Sequence, residues 1–573
     1  ILEPGRYGVV VGNPPYITVK DKKLNQAYRD RYATCKGTYA LTVPFMERFF
    51  QLAKPTSGDR PAGWTGQITS NSFMKREFGS RLIEEFLSKQ DLRLVVDTSG
   101  AYIPGHGTPT VILVGQPRPS SGTTVKAALG IRGEPGQPSN PAKGMVWSSI
   151  VDGVGQSEFE NEYISVVSLP LVSLAKHPWS LSGGGADRLL AAVDAVDNRR
   201  LDDLVTEIGF GAVTREDSAF MIGAGAARRH GVDPDHIRPV VEGDVTRDWA
   251  IVDPVGSIWP YNPETLGAER DPSISRCLWP YRTLLSSRVA YGLSQIQRGL
   301  QWFEYSMFFT KRFALPLSIT FAFVATHNHF VFDRGGKVFN RSAPVIKLPE
   351  GTTEADHLAL LGVLNSSTAC FWLKQNSHDK GSQGINEGLK AEAWERFYEF
   401  TGTTLKDFPL PTTLPLDRGR LLDELATRRG VIFAAATTPT SATPTTAGLD
   451  AARMATEEVR ARMIAEQEEL DWEVYRSYEL LNADLTYADG DLPTVRLGER
   501  AFEIALARKV SADEEATTWF SRHGSAPITE IPVHWPQGYR DLVQRRLDMI
   551  ESNKFIHLLE RPEYKRRWST EPW

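Results

Sequence analysis

A short apolar strand that ends in a rigid polar turn is the feature that most constrains this chain. Residues 7–11 form an apolar run, and Asn13-Pro14-Pro15-Tyr16 follows it after a single glycine. At average residue usage, this tetrapeptide is expected by chance on the order of once in several hundred chains of this size. Asn-Pro and Pro-Pro are turn dipeptides, so a simple turn is the alternative. The strand before the motif and the aromatic residue at its end favour a functional site.

The residue types in this turn suit a reaction at an exocyclic amine that is conjugated to a ring. Such an amine is a poor nucleophile until two hydrogen-bond acceptors draw its lone pair out of the ring. The side-chain oxygen of Asn13 and the backbone carbonyl of Pro14 are the candidate acceptors, and Pro14 and Pro15 hold the backbone so that both converge. Tyr16 offers a face on which a planar base can stack. A base in a duplex has to be flipped out to reach it.

The first 117 residues read as strands that alternate with helices, which predicts an α/β sheet. After the first strand, the strand patterns occupy residues 64–69, 92–97 and 110–114, and the helical patterns occupy residues 41–53 and 79–89. No helical pattern lies between the last two strands. We therefore expect the last strand to run antiparallel to the others.

Composition divides the rest of the chain into regions. The predicted regions are a methyltransferase-like domain at 1–117, a β-rich insertion at 118–180, a mixed α/β domain at 181–411, a linker with a low-complexity segment at 412–452, and a helical C-terminal region at 453–573. The helical region begins with an amphipathic pattern, in which apolar residues recur at helical spacing with Glu and Arg between them.

Charge and cysteine content exclude some classes of protein. The net charge of −5 neither supports nor excludes a DNA partner, because only the binding face has to be basic. The 3 cysteines are too few and too scattered for a disulfide framework or a zinc site, which favours the reducing cytoplasm. Neither an apolar run near 18 residues nor a signal peptide is found, so no membrane association is expected. The chain begins at Ile1, next to a core strand, which we interpret as a fragment that lacks an N-terminal part.

The Asn13–Tyr16 turn resembles motif IV of amino-methyltransferases that use S-adenosylmethionine, and residues 69–73 resemble the motif that follows it in restriction-type adenine enzymes. Four more segments resemble the PglX-type adenine methyltransferases of phage growth limitation and BREX antiphage systems: residues 102–110, 376–400, 468–475 and 560–568. Together these segments extend the resemblance over nearly the whole chain.

The resemblance implies site-specific methylation of adenine N6 in DNA, with S-adenosylmethionine as the methyl donor. The implied fold is the C-terminal half of a Rossmann-like methyltransferase domain, then a mixed α/β target-recognition domain at 181–411 and the helical C-terminal region. Double-stranded DNA is the expected partner, together with other phage-defence proteins. Two alternatives stay open: a non-catalytic module that recognises DNA or docks other proteins, and an RNA amino-methyltransferase.

The chain departs from the family pattern at the cofactor loop. That Gly-rich turn normally lies many residues before motif IV, whereas 12 residues precede Asn13 here. Gly183-Gly184-Gly185 or Gly209-Phe210-Gly211 could replace it in a permuted order, but a lone Gly-x-Gly is a weak signal. We favour the fragment, leave the cofactor-binding residues unassigned, and expect the chain alone to bind S-adenosylmethionine weakly or not at all.

DNA contacts are predicted where cations, amides and glycines cluster, because phosphates need cations and base edges are recognised by Arg, Gln and Asn. The candidate substrate-binding residues are Ser72, Phe73, His106, Arg270, Arg282, Arg288, Gln295, Gln297, Arg298, Lys380, Ser382, Gln383 and Asn386. A solvated helix face is the alternative for the residues between 270 and 312. His327 and His329 lack an evident third ligand, so we expect a structural role for them rather than a metal site.

Overall fold

The structure is a computed structural model that describes residues 2–58, 60–105, 107–381, 392–437 and 444–570. The chain divides into two compact units. Unit 1 comprises Ile1–Ala191 and Lys374–Tyr398, and unit 2 comprises Ala192–Leu373 and Glu399–Trp573. Four candidate residues, His106, Ser382, Gln383 and Asn386, lie outside the described residues.

In the described part of unit 1, seven strands form one sheet in the order β1-β2-β4-β3-β5-β7-β6. The strands are β1 (Val9–Gly12), β2 (Trp64–Ser70), β3 (Asp91–Asp97), β4 (Thr110–Gln116), β5 (Thr124–Gly130), β6 (Phe159–Glu160) and β7 (Ile164–Pro170). The α-helices that accompany them are α1 (Lys22–Arg31), α2 (Thr42–Leu52), α3 (Met145–Val154) and α4 (Ala186–Ala195). The boundary between the two units falls inside α4.

Strand direction in this sheet places four strand ends at one edge. β1 runs parallel to β2, β3 runs parallel to β5, and β4 runs antiparallel to both β2 and β3. The antiparallel direction predicted for the strand at 110–114 is therefore confirmed. The carboxyl ends of β1, β2, β3 and β5 all open at the same edge, which is where α/β sheets place their functional residues.

Residues 118–180, which the sequence predicts to be a β-rich insertion, do not form a separate layer. β5 pairs with β3 in the register Leu94↔Lys126, and β7 and β6 follow, so this stretch extends the same sheet. Val95 and Ala127 pack in the core cluster that contains the α2 residues, whereas the neighbouring Val96 and Ala128 pack against the α3 side. Both faces of the sheet are therefore buried at β3 and β5.

Unit 2 is built from many short strands and a set of longer helices. Its strands are β8 (Glu207–Gly209), β9 (Ala212–Val213), β10 (Ile237–Val241), β11 (Thr246–Arg247), β12 (Ala250–Ile251), β13 (Gly256–Ile258), β14 (Val289–Ala290), β15 (Leu293–Ser294), β16 (Met307–Phe308), β17 (Ser318–Phe321), β18 (Val324–Ala325), β19 (Phe330–Asp333), β20 (Val338–Phe339) and β21 (Val345–Lys347). The widest sheet among them has the order β19-β17-β21-β8. Two further short strands, β22 (His378–Gly381) and β23 (Phe397–Glu399), lie in or next to the stretch that belongs to unit 1.

The helices of unit 2 are concentrated in the second half of the chain. They are α5 (Asp217–Phe220), α6 (Ala224–Arg229), α7 (Pro272–Leu278), α8 (Arg282–Ser287), α9 (Glu354–Leu364), α10 (Ser367–Asn376), α11 (Gly402–Lys406), α12 (Leu416–Thr437), α13 (Thr446–Ser477), α14 (Ala501–Ser511), α15 (Trp519–Arg522), α16 (Gln537–Ser552) and α17 (Lys554–Leu559). None of the helices in the described ranges combines the length and the apolarity that a membrane crossing requires.

The linker predicted at 412–452 is largely helical in its described part, because α12 covers 416–437 and α13 begins at Thr446. The α12 helix packs tightly against α9. A side chain at Gly419 would meet the backbone oxygen of Leu358 at 2.2 Å, so only glycine fits this approach. The side-chain oxygen of Thr445 accepts a hydrogen bond from Gly448 N (3.1 Å) and caps α13.

The α13 helix is buried around its whole circumference over much of its length, although the sequence pattern predicts a charged outer face. Its buried polar residues are Glu466, Gln467, Glu468, Glu469 and Asp471. Each of these side chains pairs with a residue far away in the sequence. Buried charges are tolerated only when they are paired in this way.

Candidate functional site

The Asn13–Tyr16 turn lies at the open edge of the sheet in unit 1, directly after β1. Gly12 brings the end of the strand close to α2, because a side chain there would lie 2.6 Å from the ring of Phe49. Asn13 and Pro15 are exposed, Pro14 is buried and Tyr16 is partly buried. The hydroxyl of Tyr16 donates a hydrogen bond to Asn13 Oδ1 (2.7 Å), which sets the orientation of the amide. Burial raises the pKa of Tyr16, so this hydroxyl remains a donor.

The turn after β2 lies at the same edge. Ser70 Oγ accepts a hydrogen bond from Ser72 N (3.2 Å) and caps a short 3-10 helix, Asn71–Met74. The backbone N–H of Asn71 donates to Pro109 O (3.0 Å) and thereby joins this turn to the segment in front of β4. Ser72 is partly exposed and is available to a ligand.

Phe73 was predicted to contact the substrate, and the structure places it in the core instead. Its side chain is 0% exposed. The ring packs edge-on against Trp179 with 5.8 Å between the ring centroids. Its aromatic character therefore serves the packing of unit 1, and the side chain offers no face to a base.

Two charged residues lie near this edge, Asp97, which the sequence suggests as a turn cap at a strand end, and Lys75, which sequence reasoning did not single out. Asp97 ends β3, and its Oδ1 accepts a hydrogen bond from Ser99 N (2.9 Å), while burial raises the pKa of this carboxyl. Lys75 is partly exposed, but its Nζ is buried and has no hydrogen-bond partner among the described residues. Burial lowers the pKa of Lys75 to about 7, and Asp97 partly opposes this shift. An amine that titrates near neutral pH beside a candidate site is a functional candidate in its own right.

The segment 374–398 also belongs to unit 1, although the sequence places it in the domain at 181–411. Arg396 donates to Asp379 Oδ2 (2.5 Å), and its charge partly opposes the rise that burial causes in the pKa of Asp97. Ser180 Oγ donates to Gln375 Oε1 (2.7 Å). These contacts explain why the segment packs with unit 1. The resemblance at 376–400 was the one signal in the sequence that marked it.

Three predicted DNA contacts in unit 2 are structural. Arg288 is buried, and its guanidinium donates to the carbonyl oxygens of Leu285 (2.9 Å), Trp302 (3.1 Å) and Glu304 (2.6 Å), and to that of Thr214. Gln295 is 0% exposed and donates to the carbonyl oxygen of Gln301 (3.2 Å) and also to that of Glu304 (3.2 Å).

Arg298 is the third of these residues. It donates to Ser306 O (2.6 Å) and to Gln295 Oε1 (2.7 Å). Arg288 and Gln295 are buried and bind backbone carbonyls, so they hold the local fold together. Arg298 is partly exposed and also binds the local backbone, which gives it a structural role.

Other candidates in the same region are exposed, as a DNA contact requires. Arg270, Arg282 and Gln297 face solvent in unit 2, and Lys380 is exposed on β22 in unit 1. The guanidinium of Arg282 lies over the ring of Trp279 at 4.8 Å from its centroid. Gln297 Oε1 accepts a hydrogen bond from Ser294 N (2.9 Å).

The histidine pair and glycines of both clusters are packed against other parts of the chain. Both His327 and His329 are buried, and His329 Nδ1 lies 3.2 Å from a guanidinium nitrogen of Arg566. Among the described residues, no three His, Cys, Asp or Glu side chains come together as a metal site. A side chain at Gly209 would collide with Arg312, and one at Gly183 would lie 2.4 Å from Ser165 Oγ. Close packing thus accounts for both glycines.

Parts of the chain match family models, and solved structures of low identity are similar to it. The family model "Eco57I restriction-modification methylase" matches residues 2–103, and a domain of unknown function, DUF7008, matches residues 463–573. Among solved structures, the type IIL restriction-modification enzyme MmeI in complex with DNA is similar, with a TM-score of 0.47 and 10% identity over 83% of this chain and 55% of that one. The type IIG restriction endonuclease BpuSI gives a TM-score of 0.30 with 12% identity over 80% of this chain and 54% of that one.

A particular relative covers the chain from end to end. The adenine-specific methyltransferase PglX of Streptomyces coelicolor is 46% identical over 588 aligned positions, which include 100% of this chain and 48% of that protein. The chain thus resembles PglX-type methyltransferases along its entire length, and it spans about half the length of the curated relative that it matches. The resemblance to this family is confirmed.

Proposed function

We propose that the full-length protein methylates adenine N6 at specific sites in double-stranded DNA, as part of a bacterial phage-defence system of the BREX type, in the cytoplasm. The observation that carries this proposal is the geometry after β1. The exposed amide of Asn13 stands next to Pro14 at the edge where the parallel strands of unit 1 end, and the hydroxyl of Tyr16 orients it with a 2.7 Å hydrogen bond.

In this proposal, Asn13 Oδ1 and the carbonyl oxygen of Pro14 accept the two N–H bonds of the flipped adenine. The acceptors draw the lone pair out of the ring and toward the methyl donor. Asn13 Oδ1 has two lone pairs, so it can accept from Tyr16 and from the amine together. The ring of Tyr16 provides the stacking face for the base. S-adenosylmethionine, when bound, supplies the electrophilic methyl group.

We further propose that the sheet of unit 1 is the C-terminal half of a Rossmann-like domain. Two observations support this. β1, β2 and β3 run parallel with the antiparallel β4 inserted between β2 and β3. β1 also pairs only with β2 in that sheet, and its Val9 and Val11 side chains are 61% and 74% exposed. An open apolar strand at a sheet edge is a pairing site for further strands, which would carry the cofactor loop.

We assign none of the described residues of unit 1 to S-adenosylmethionine, although Gly130, Gly133 and Gly136 form a Gly-rich segment at the end of β5. The contacts to adenosine and carboxylate in this fold come mainly from the first strands and their loops. Because the catalytic turn contacts only the flipped adenine, a separate surface has to recognise the neighbouring bases. We assign this target recognition to residues between 181 and 411, where Arg270 and Arg282 are exposed.

Transfer of a labelled methyl group from S-adenosylmethionine tests the proposal. We expect the full-length protein to label duplex DNA on adenine and to leave structured RNA unlabelled. Asn13→Ala should abolish labelling, because losing one preorganised contact of this kind typically costs about 10²–10³ in rate, and should leave duplex binding nearly intact. Label in RNA alone would favour an RNA amino-methyltransferase. Duplex binding by a parental protein that transfers no label would favour a non-catalytic recognition module.

A further inference from the structure

A small hairpin in unit 2 presents a highly exposed aromatic side chain at its tip. β14 and β15 pair in the register Val289↔Ser294 and Ala290↔Leu293, so Tyr291 and Gly292 form a two-residue turn. The Tyr291 side chain is 81% exposed. It makes no hydrogen bond and no ring contact to any of the described residues.

The backbone at this tip is unfavourable for tyrosine. Both turn residues have positive φ, 53° for Tyr291 and 82° for Gly292, as a type I′ turn requires. Asn, Asp and Gly dominate the first position of such turns because they tolerate positive φ. A bulky residue there is a true outlier. Since packing does not account for the ring, an outside contact is the remaining reason for tyrosine at this position.

The hairpin is held rigidly at both ends by the residues that the sequence had assigned to DNA. Arg288 immediately precedes β14 and binds carbonyl oxygens of the surrounding chain, and Gln295 immediately follows β15 and does the same. Arg298 secures the far side by donating to Gln295 Oε1 (2.7 Å) and to Ser306 O (2.6 Å). A tip on such a support is preorganised, so inserting it into a partner costs little ordering entropy.

The surroundings of the tip suit a polyanion that also offers apolar faces. The stretch 272–303 contains four arginines and neither Asp nor Glu. Arg276 and Arg282 are exposed in it. Apolar side chains are exposed in the same stretch, among them Trp279 (54%), Val289 (52%), Leu293 (48%) and Ile296 (54%). An apolar tip among cations is the combination used by side chains that wedge between DNA base steps.

We propose that the β14–β15 hairpin is a DNA wedge: Tyr291 enters the base stack of the bound duplex, while the exposed arginines of the stretch 272–303 contact phosphates. This inference rests on the proposed function and deepens it. Unstacking a base step lowers the free energy needed to deform the duplex.

Variants at the tip of the full-length protein test the wedge. Tyr291→Gly removes the ring and suits the positive φ, so the hairpin stays folded, and Tyr291→Phe keeps the ring. We expect Tyr291→Gly to weaken binding to a duplex with the methylated site about 5- to 100-fold, in line with the value of one base–aromatic stack. Tyr291→Phe should bind like the parent. A duplex with a mismatch at the wedged step is already unstacked there, so Tyr291→Gly should lose much less affinity for it.

A direct readout of unstacking completes the test. The fluorescent base 2-aminopurine is placed in turn at each base step across the site, so that its fluorescence reports unstacking. The parental protein and Tyr291→Phe should raise the fluorescence at one step, and Tyr291→Gly should not. Val172→Ala, at a 78% exposed position in unit 1, is the matched surface control and should behave like the parent. Equal losses on paired and mispaired duplexes, or brightening that survives Tyr291→Gly, would overturn the wedge alone. A parental protein that methylates no duplex would instead overturn the proposed function.

Discussion

The hydroxyl of Tyr16 determines how the amide of Asn13 is presented at the end of β1. It donates to Asn13 Oδ1 at 2.7 Å, and both residues lie at the open edge of the sheet. The amide oxygen is therefore directed before any base arrives. We infer two separable contributions from Tyr16, a ring that stacks on the base and a hydroxyl that positions Asn13.

Tyr16→Phe separates these contributions. A hydrogen bond of this kind contributes about 0.5–1.5 kcal/mol, so its loss should lower kcat by roughly 2- to 10-fold. The retained ring should leave the KM for DNA unchanged, whereas Tyr16→Ala should raise the KM and lower kcat. Steady-state methylation kinetics of the two full-length variants measure this split. Identical kinetics for both variants would contradict the two roles.

At the scale of elements, the stretch 270–312 shows that residue types predict a DNA surface but do not predict which side chains are exposed on it. Its cations, amides and aromatic residues predict a DNA surface, and Arg270 and Arg282 are indeed exposed. Arg288, Gln295 and Arg298 have the same residue types but bind backbone carbonyls. Composition alone could not separate the two groups, because the carbonyls involved come from other turns of the chain.

Two substitutions distinguish these roles. Arg298→Ala should lower the free energy of unfolding by about 1–3 kcal/mol, because it leaves buried acceptors unpaired, and should not change the salt dependence of duplex binding. Arg282→Ala should leave stability near that of the parent and lower the salt slope by about one. Thermal unfolding and binding titrations at several salt concentrations measure both. A lower salt slope for Arg298→Ala would return this residue to the DNA surface.

The burial of charged residues on α13 could not be predicted from the sequence either, because their partners are distant in the sequence. Lys565 Nζ contacts Asp471 Oδ2 (2.8 Å), Glu560 Oε1 (2.9 Å) and Glu468 Oε1 (3.2 Å), and its side chain is 1% exposed. The periodicity of α13 predicts the helix correctly, but the partners of its charges lie in the C-terminal tail. A charged residue at helical spacing is usually solvated, and only tertiary structure brings these groups together.

Glu468 gives a pH-dependent test of this cluster. Burial raises its pKa from 4.5 to about 7, so between these values the native state holds a proton that the unfolded chain has released. The free energy of unfolding therefore falls as pH rises through this window. The side chain of the Glu468→Gln variant does not titrate, so the variant does not lose this stability. The difference in the free energy of unfolding between the variant and the parent should therefore increase between pH 4.5 and 7 and then stay constant.

Thermal unfolding of the parent and the variant over this pH range is the measurement. Lys565→Met is the matched opposite, because it leaves three carboxylates around an uncharged side chain. This substitution should lower the free energy of unfolding by about 3–5 kcal/mol at neutral pH. A pH-independent difference between Glu468→Gln and the parent would contradict the proposed protonation.

For the molecule as a whole, the order of strands along the chain was accessible from the sequence, since apolar runs and turn residues mark it. The division into units was not. Lys374–Tyr398 belongs to unit 1 although it follows a long stretch of unit 2 in the sequence, and its contacts involve Asp379, Arg396 and Gln375. Such long-range contacts leave no local pattern, although the resemblance at 376–400 marked the segment as special.

The organisation of unit 1 also predicts how this chain behaves on its own. In this fold the contacts to adenosine and carboxylate come mainly from the first strands and their loops, and we assign no residue of unit 1 to them. The chain alone should therefore bind S-adenosylmethionine weakly or not at all, and calorimetry measures this directly. Micromolar affinity would mean that the chain has its own cofactor site and would revive a permuted order of motifs.

The most direct test of the central claim is the pattern of DNA methylation in cells. Methylome sequencing compares cells that carry the full-length gene, its Asn13→Ala variant, or no copy. We predict N6-methyladenine at one defined sequence motif with the parental gene, and none at that motif with Asn13→Ala or without the gene. Methylation that persists in the Asn13→Ala cells would contradict the assignment of the Asn13–Tyr16 turn as the catalytic site.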